Sequence, residues 1–291
     1  MCFRQNILGF DFNFISYSDV FEMILRWRNT GHARLISMVN PYSILLGHRD
    51  RHMAAAIYAS SLVLPDGVGI VLASRILYGS RRSRTTGPAL MLELCGKPGL
   101  RHYFYGGSPT TVQRLAANLQ RRCPGLDICG WYAPPFRPLT EQEDNDVIAR
   151  INAVRPDVVW VGLGAPKQEK WMLAHQTKLR TTAMIGVGAA FDFHAGVKKW
   201  APCWMRRCGL EWLYRFFQEP ARMARRNVDN VIFLYKVLMC RYAKFTANVV
   251  SENTSLRMEH SSIVPDDDNL ILSNAPEQPE IIYSEPIPQE V

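Results

Sequence analysis

The sequence of 291 residues is short of features that would place it in a membrane or in an oxidising compartment. It contains no apolar segment long enough to span a bilayer, and its first residues lack the apolar run of a signal peptide. Its seven cysteines are odd in number and include no Cys-x-x-Cys spacing, which argues against a disulfide framework or a zinc finger. We therefore expect a cytoplasmic protein, or one that rests on a cytoplasmic membrane surface.

Asp-x-Asp pairs, which bind a divalent metal beside phosphate groups in many enzymes, are also scarce. The two Asp-x-Asp sequences are Asp144–Asp146, in the opening turns of a predicted polar-faced helix, and Asp266–Asp268, near the C-terminus. Neither follows an apolar strand, so we predict that both are solvated and that the protein uses no metal and no other cofactor. Phosphate charge would then be met by arginine, lysine and backbone amides.

The charge that is present is unevenly distributed. The whole chain has a net charge of +8. Residues 246–291 hold one arginine against nine acids, a net of −8, which leaves +16 on residues 1–245. Residues 196–245 alone carry eleven Lys or Arg and three acids. Such a basic segment favours an anionic partner, such as phosphate, nucleic acid or lipid head groups, whereas the acidic tail, rich in Pro and Ser, predicts disorder.

Short apolar runs alternate with helical patterns through the first two hundred residues. This rhythm predicts an α/β fold of Rossmann-like type, a mostly parallel sheet with helices on both faces. The predicted strands are 34–39, 62–64, 101–105, 126–129, 158–162 and 182–187, and the predicted helices are 19–27, 41–59, 68–78, 88–95, 110–121, 140–154 and 167–175. Thr140 and Glu143 predict a capping box at one of these helix starts.

The pattern changes near residue 200, where aromatic residues and arginines predict two or three helices broken near Pro220. We divide the chain into an α/β catalytic core (1–195), a basic helical membrane-binding appendage (196–245) and a disordered acidic tail (246–291).

Residues 62–70, Leu-Val-Leu-Pro-Asp-Gly-Val-Gly-Ile, place one carboxylate on a tight turn between a buried strand and a helix. Asp66 is therefore predicted to lie at the carboxyl end of a strand, where α/β sheets bind ligands. Gly67 and Gly69 remove side-chain bulk, so that a ligand could approach the backbone. The alternative is that Asp66 only caps the helix that follows.

Three other stretches suggest a nucleotide pocket. Gly106 and Gly107 lie on a strand-to-helix turn whose free amides could bind phosphate. Gly164 and Lys167 follow a later apolar strand, and since lysine is unfavourable at a helix N-terminus, a bound anion would explain it; a solvated lysine over a plain turn is the alternative. Asp192 stands in a stretch of small and apolar residues, and it is predicted either to contact a ribose or base or to be buried and hydrogen-bonded.

Arginines near these turns could neutralise phosphate. Arg84 stands in a basic loop soon after Asp66, and its guanidinium could pair with two phosphate oxygens. In the appendage, Arg215 and Arg222 would share the face of a continuous helix, and aromatic residues are interleaved with the arginines. This amphipathic character is typical of interfacial membrane attachment. The same residues could instead pack their aromatic side chains on the core and leave a solvated basic face.

In combination and in order, these motifs resemble the WecG/TagA/CpsF family of bacterial glycosyltransferases. The resemblance covers about residues 5–240. The matching motifs are Asn40-Pro, Leu64-Pro-Asp-Gly-Val-Gly-Ile-Val, Arg84-Thr-Thr-Gly, Tyr105-Gly-Gly, Pro124-Gly-Leu, Gly162-Leu-Gly-Ala-Pro-Lys-Gln-Glu, Gly186-Val-Gly-Ala-Ala-Phe-Asp-Phe, Gly209-Leu-Glu-Trp-Leu-Tyr-Arg, Glu219-Pro and Arg222.

The resemblance implies an inverting, metal-independent transfer of a sugar from a UDP-sugar, of N-acetylmannosamine type or a related hexose, to a sugar carried on a polyprenyl diphosphate. It implies a role in bacterial surface polysaccharide or exopolysaccharide synthesis, with the enzyme peripheral on the anionic inner face of the cytoplasmic membrane. Many members carry Thr where this chain has Met38, with Ser37 beside it, and this departure puts the donor preference in question.

The resemblance also assigns roles to residues. It implies that Asp66 is the catalytic base and that Arg84 and Gln168 line the sugar-diphosphate pocket. The remaining residues that it implies in substrate binding are Asn40, Asp192, Arg215, Arg222 and Arg225.

Two functions of other classes remain as alternatives. A Rossmann-type oxidoreductase is disfavoured because no complete Gly-x-Gly-x-x-Gly opens the first strand–helix unit. A nucleic-acid-binding module would use the basic, aromatic residues 196–245, but we predict no nucleic-acid partner. The sequence leaves the oligomeric state open, a homo-oligomer included.

Overall fold

The computed structural model describes residues 4–28, 30–220 and 227–243. Within them the strands are β1 (Arg4–Ile7), β2 (Phe10–Asn13), β3 (Arg34–Val39), β4 (Leu62–Pro65), β5 (Arg101–Gly106), β6 (Asp127–Tyr132), β7 (Val158–Gly162) and β8 (Ala183–Gly186). The helices are α1 (Tyr17–Trp27), α2 (Pro41–Arg49), α3 (Arg51–Tyr58), α4 (Val68–Tyr78), α5 (Gly87–Cys95), α6 (Pro109–Arg122), α7 (Glu141–Val154), α8 (Lys167–His175), α9 (Ala190–His194), α10 (Cys203–Arg207) and α11 (Glu211–Gln218). Residues 227–243 are also helical.

The central sheet has six strands in the order β4-β3-β8-β7-β5-β6, and every pair of neighbours is parallel. Because successive side chains of a strand point to opposite faces, β7 contributes to two cores. Trp160 packs on the face covered by α1, α5 and α6. Val159 and Val161 pack on the other face with α7 and α8. The predicted parallel α/β sheet flanked by helices is confirmed.

A short antiparallel hairpin of β1 and β2 precedes the sheet and was not predicted from the sequence. Leu8 and Gly9 form its turn with φ values of 49° and 91°. The hairpin covers the outer edge of the sheet, since the side chain of Asn13 accepts a hydrogen bond of 2.9 Å from the backbone N–H of Val63 in β4. Its strands are four residues long and carry polar residues among the apolar ones, so their pattern is weak.

The single helix predicted over residues 41–59 is wrong, because the structure breaks it at Asp50. The backbone of Asp50 is extended, with φ −128° and ψ 108°, and this residue ends α2 and caps α3. Its carboxylate accepts hydrogen bonds from the backbone N–H groups of His52 and Met53. A short acidic side chain competes with the helix for backbone donors in this way.

The C-terminal part of the described chain is helical, as expected from its pattern. Helix α11 ends at Gln218, just before Pro220. The helical residues 227–243 bury Phe233 and Val237 against a cluster that includes side chains of α2, α3 and α4. Several apolar side chains of the same stretch stay exposed, among them Val231, Tyr235, Leu238 and Tyr242.

The described residues all belong to one compact unit that comprises residues 1–244. The boundary at residue 195 between core and appendage stays a prediction. The predicted acidic tail, residues 246–291, lies outside the described residues, as do Arg222 and Arg225. Among the described helices, none combines the length and the apolar composition that crossing a membrane requires.

Candidate active site

Three chain segments meet at the carboxyl edge of β3 and β4. The backbone N–H of Asp66, the residue after β4, donates a hydrogen bond of 2.9 Å to the carbonyl of Val39 at the end of β3. The N–H of Thr85 donates one of 2.9 Å to the carbonyl of Pro65. These two bonds place Asn40, Asp66 and Arg84 side by side, although they are far apart in sequence.

The Asp66 side chain is held by Asn40 and does not cap the helix that follows. Gly67 is the N-cap of α4, with φ 91°, and no side chain caps that helix. The Oδ1 atom of Asn40 accepts a hydrogen bond of 3.0 Å from the N–H of Ser43, which caps α2. The same Asn40 side chain interacts with the Asp66 carboxyl and opposes the rise in its pKa. The alternative in which Asp66 is a helix cap is wrong.

The environment makes Asp66 more basic than an ordinary aspartate. Burial raises its pKa, and the negative charge of Glu211 raises it further. The positive charge of Arg215, the hydrogen bond from Asn40 and the positive charge of Arg84 oppose this, yet the pKa remains raised. Part of the side-chain surface is still accessible, so the carboxylate is desolvated but open to a ligand.

A cavity of about 510 Å³ opens beside this carboxylate, and we call it the Asp66 cavity. Its polar end is formed by Asn40, Asp66, Arg84, Glu211 and Arg215. The remaining wall is largely apolar and includes Pro41, Val68, Leu72, Trp212, Val231 and Leu234.

The two arginines of the Asp66 cavity are fixed by different contacts. The guanidinium of Arg84 donates a hydrogen bond to the backbone carbonyl of Arg206 in α10. Arg215 lies 2.5 Å from the Glu211 carboxylate, measured from Nη2 to Oε1, and its guanidinium carbon is 4.9 Å from the centre of the Phe193 ring. The Nε atom of Arg215 is buried and has no hydrogen-bond partner in the described chain. Glu211 is not among the residues predicted from the sequence, although it stands in the Gly209-Leu-Glu-Trp motif.

A second cavity of about 820 Å³ lies over the carboxyl ends of β5 and β7, and we call it the Lys167 cavity. Four predicted residues line it: Gly107, Gly164, Lys167 and Asp192. The side chain of Asp192 is 31% exposed and lies 3.4 Å from the Nζ of Lys198, so it is not the buried aspartate of the alternative. The aromatic side chains of Tyr105 and Trp171 stack at 4.1 Å between ring centres and also line this cavity.

Asp144 lines the Lys167 cavity as well, which corrects the expectation that the Asp144–Asp146 pair is simply solvated. Its two carboxylate oxygens lie 3.0 and 3.1 Å from Nε2 of the buried His175. The first turn of α7 packs against α8 at this point. The sequence shows that this helix face is polar but not which neighbouring element it contacts. No cluster of three or more metal-binding side chains occurs in residues 4–28, 30–220 and 227–243.

Gly106 and Gln168 lie behind the cavity walls. Gly106 has φ 133°, and a Cβ atom there would be 2.6 Å from the carbonyl carbon of Gly162, so the close approach of two strands explains the glycine. Gln168 is buried; its Oε1 accepts a hydrogen bond of 3.2 Å from the N–H of Gly164, and its Nε2 donates one of 2.8 Å to Glu169. Gln168 thus supports the turn after β7.

Comparison with known proteins gives one consistent result. Residues 5–246 match the model of the glycosyl transferase WecG/TagA/CpsF family. An N-acetylglucosaminyldiphosphoundecaprenol N-acetyl-beta-D-mannosaminyltransferase of Bacillus subtilis (strain 168) is 31% identical over 225 residues, which cover 76% of this chain and 85% of the relative. A protein of the same description from Staphylococcus aureus (strain MW2) is 29% identical over 239 residues, or 80% of this chain and 92% of the relative.

Proposed function

The chain belongs to the WecG/TagA/CpsF family of glycosyltransferases, and from this premise we propose a specific reaction. It is an inverting transfer of a sugar from a UDP-sugar to the sugar of a polyprenyl-diphosphate-linked acceptor, with Asp66 as the general base. The acceptor class is that of the relatives, whose descriptions name N-acetylglucosaminyldiphosphoundecaprenol and an N-acetylmannosaminyl group. Family membership rules out the two alternatives, a Rossmann-type oxidoreductase and a nucleic-acid-binding module.

One observation carries the proposal, namely that the raised pKa of Asp66 coincides with an open cavity and two arginines. An inverting transfer needs one base that deprotonates the acceptor hydroxyl as this oxygen attacks the anomeric carbon. A carboxylate with a raised pKa is a stronger base, and general-base catalysis contributes about 10²–10⁴-fold to a rate. The leaving nucleotide diphosphate gains negative charge, which Arg84 and Arg215 can stabilise.

The donor and the acceptor are assigned to different cavities. Gly107, Gly164 and Lys167 offer backbone amides and a positive charge for the phosphates, and the half-buried Trp171 adds apolar surface for a base. The donor nucleotide therefore lies in the Lys167 cavity. Its diphosphate and sugar extend towards β3 and β4, so that the phosphate that departs reaches Arg84 and Arg215 and the anomeric carbon comes near Asp66. The acceptor sugar enters through the Asp66 cavity.

The apolar wall of the Asp66 cavity suits a lipid-linked acceptor. Val68 and Leu72 of α4 line it together with Val231 and Leu234 of the helical residues 227–243. Side chains nearby expose apolar surface, with Val231 69% and Tyr235 62% exposed. We place this face against the anionic inner surface of the cytoplasmic membrane, where basic residues of 196–245 contact lipid head groups.

The test is a transfer assay with the purified full-length protein. The donor is UDP-N-acetylmannosamine, set beside other UDP-sugars, and the acceptor is a short-chain polyprenyl-diphosphate N-acetylglucosamine; UDP release and product mass are measured. Transfer that persists in EDTA and gives an inverted anomeric linkage supports the proposal. Absence of transfer with every UDP-sugar, or a strict requirement for a divalent metal, contradicts it.

A further inference from the structure

The Asp66 cavity contains a second carboxylate whose role the proposed reaction does not explain. Glu211 lies in the first turn of α11 and is 9% exposed. The charged residues that line this cavity in the described chain are two carboxylates, Asp66 and Glu211, and two guanidinium groups, Arg84 and Arg215. Their formal charges cancel only because Glu211 is present.

Glu211 and Arg215 form a pair that differs from an ordinary surface ion pair. An exposed pair at this i, i+4 spacing is screened by water and contributes little to stability. Here the Glu211 side chain is 12% exposed, and the two charged groups are 2.5 Å apart. Because Arg215 also stacks over Phe193 of α9, its guanidinium is fixed from two sides at the mouth of the cavity.

We propose that Glu211 is a positioning residue for the transfer reaction, which fixes Arg215 beside Asp66 and balances the two arginines there. The inference rests on the proposed function, because it assigns Glu211 a task in that reaction. Glu211 acts through Arg215 and Asp66 and does not contact the reacting atoms.

The first consequence of the charge balance concerns the pKa of Asp66. The groups that face Asp66 are Asn40 from the start of α2, Arg84 from the loop before α5, and Glu211 and Arg215 from α11. Tyr42 of α2 lines the same cavity. Without the charge of Glu211, the pKa of Asp66 falls, so the base becomes weaker and is deprotonated at lower pH.

The second consequence concerns the donor. Glu211 competes with a diphosphate for the guanidinium of Arg215. Removing its charge frees Arg215 and leaves the cavity with an excess of positive charge, which favours an anionic ligand. A Glu211→Gln variant is therefore expected to bind UDP more tightly while it turns over more slowly. A variant that merely loosens α11 would bind UDP more weakly, so the two effects are distinguishable.

The experiment compares the wild type with Glu211→Gln, Glu211→Asp and the control Glu93→Gln, an exposed carboxylate on α5. Transfer rates are measured from pH 5 to pH 9, UDP affinity by calorimetry and folding by thermal unfolding. For Glu211→Gln we expect a plateau kcat about 3–10-fold lower and a UDP Kd about 2–5-fold lower than in the wild type. The acid limb of the pH–rate profile, where activity is lost as the pH falls, should move to lower pH. Glu211→Asp, which keeps the charge, should keep the acid limb of the wild type, and Glu93→Gln should match the wild type throughout.

An unchanged acid limb in a folded Glu211→Gln variant, or weaker UDP binding by it, overturns the inference. If Glu211→Gln does not fold, Glu211→Asp tests the inference instead. An acid limb of its pH–rate profile that differs from that of the wild type contradicts the charge-balance role. If the wild type transfers no sugar, the proposed function has failed. The inference is then tested by carboxyl-carbon NMR, in which the signal removed by Asp66→Asn must titrate at lower pH in Glu211→Gln than in the wild type.

Discussion

Replacement of Asp66 by asparagine tests the base assignment most directly. The change keeps the shape of the side chain and removes only its charge and basicity, so the contact with Asn40 can be rebuilt by an amide. If Asp66 is the general base, kcat should fall about 10²–10⁴-fold, which corresponds to about 3–5 kcal/mol of transition-state stabilisation. UDP binding should not weaken, because Asp66 does not line the Lys167 cavity and a neutral asparagine does not repel a diphosphate.

Asp66→Asn should also change the free energy of unfolding, and the direction of the change follows from the raised pKa of Asp66. An aspartate whose pKa is higher in the folded than in the unfolded protein disfavours folding once the pH is high enough to ionise the unfolded chain. Asp66→Asn removes this penalty. The variant should therefore be more stable than the wild type at pH 8, with a smaller difference at pH 4.

The assay combines single-turnover transfer, UDP calorimetry and thermal unfolding at the two pH values. Asp146→Asn is a matched control, because Asp146 is an exposed carboxylate that accepts a hydrogen bond only from Gln142 among its described contacts. Turnover of Asp66→Asn within a few-fold of the wild type would refute the reasoning about the base. A loss of stability at pH 8 would refute the reasoning about burial.

Three further predictions concern other parts of the molecule. Burial lowers the pKa of His102 to about 4. The free energy of unfolding should therefore fall by about 3 kcal/mol as the pH drops from about 6.5 to 4. Urea unfolding measured over this pH range should show the fall in the wild type and not in His102→Gln. Gly106→Ala should cost more than about 2 kcal/mol, because its Cβ would lie 2.6 Å from Gly162, whereas Gly125→Ala, which meets nothing within 4 Å, should be near neutral in thermal unfolding. Lys167→Ala should weaken UDP binding about 5–20-fold in calorimetry, while Lys178→Ala should leave it unchanged.

The sheet and most helices could be predicted because their signals are local. Parallel strands buried on both faces are continuous apolar runs, and β3, β5 and β7 were recognised in this way. The capping box of Thr140 and Glu143 marks the start of α7, and the structure shows both of its hydrogen bonds. The break at Asp50 was missed because a polar turn within one continuous helix would give the same sequence signal as the polar residues 47–52. In the structure Asp50 ends α2 and caps α3.

The same distinction applies to the residues that line the cavities. The position of Asp66 could be predicted because it follows a buried strand on a Pro-Asp-Gly turn, and strand ends in parallel sheets collect ligands. The positions of Asp144 and Glu211 beside the cavities could not, since they depend on the partners that the fold brings to these residues. Asp144 is a polar helix residue in the sequence and becomes part of the Lys167 cavity only through α8.

The chemistry of Asp66 is therefore a property of several distant segments rather than of its own motif. The turn after β4 supplies the carboxylate, and Asn40, which follows β3, opposes the rise in its pKa. The neighbouring loop contributes Arg84, and α11, nearly 150 residues further along the chain, contributes Glu211 and Arg215. Burial and the charge of Glu211 raise the pKa of Asp66, whereas Arg215, Asn40 and Arg84 oppose the rise. Only the complete fold brings these opposing influences to one cavity.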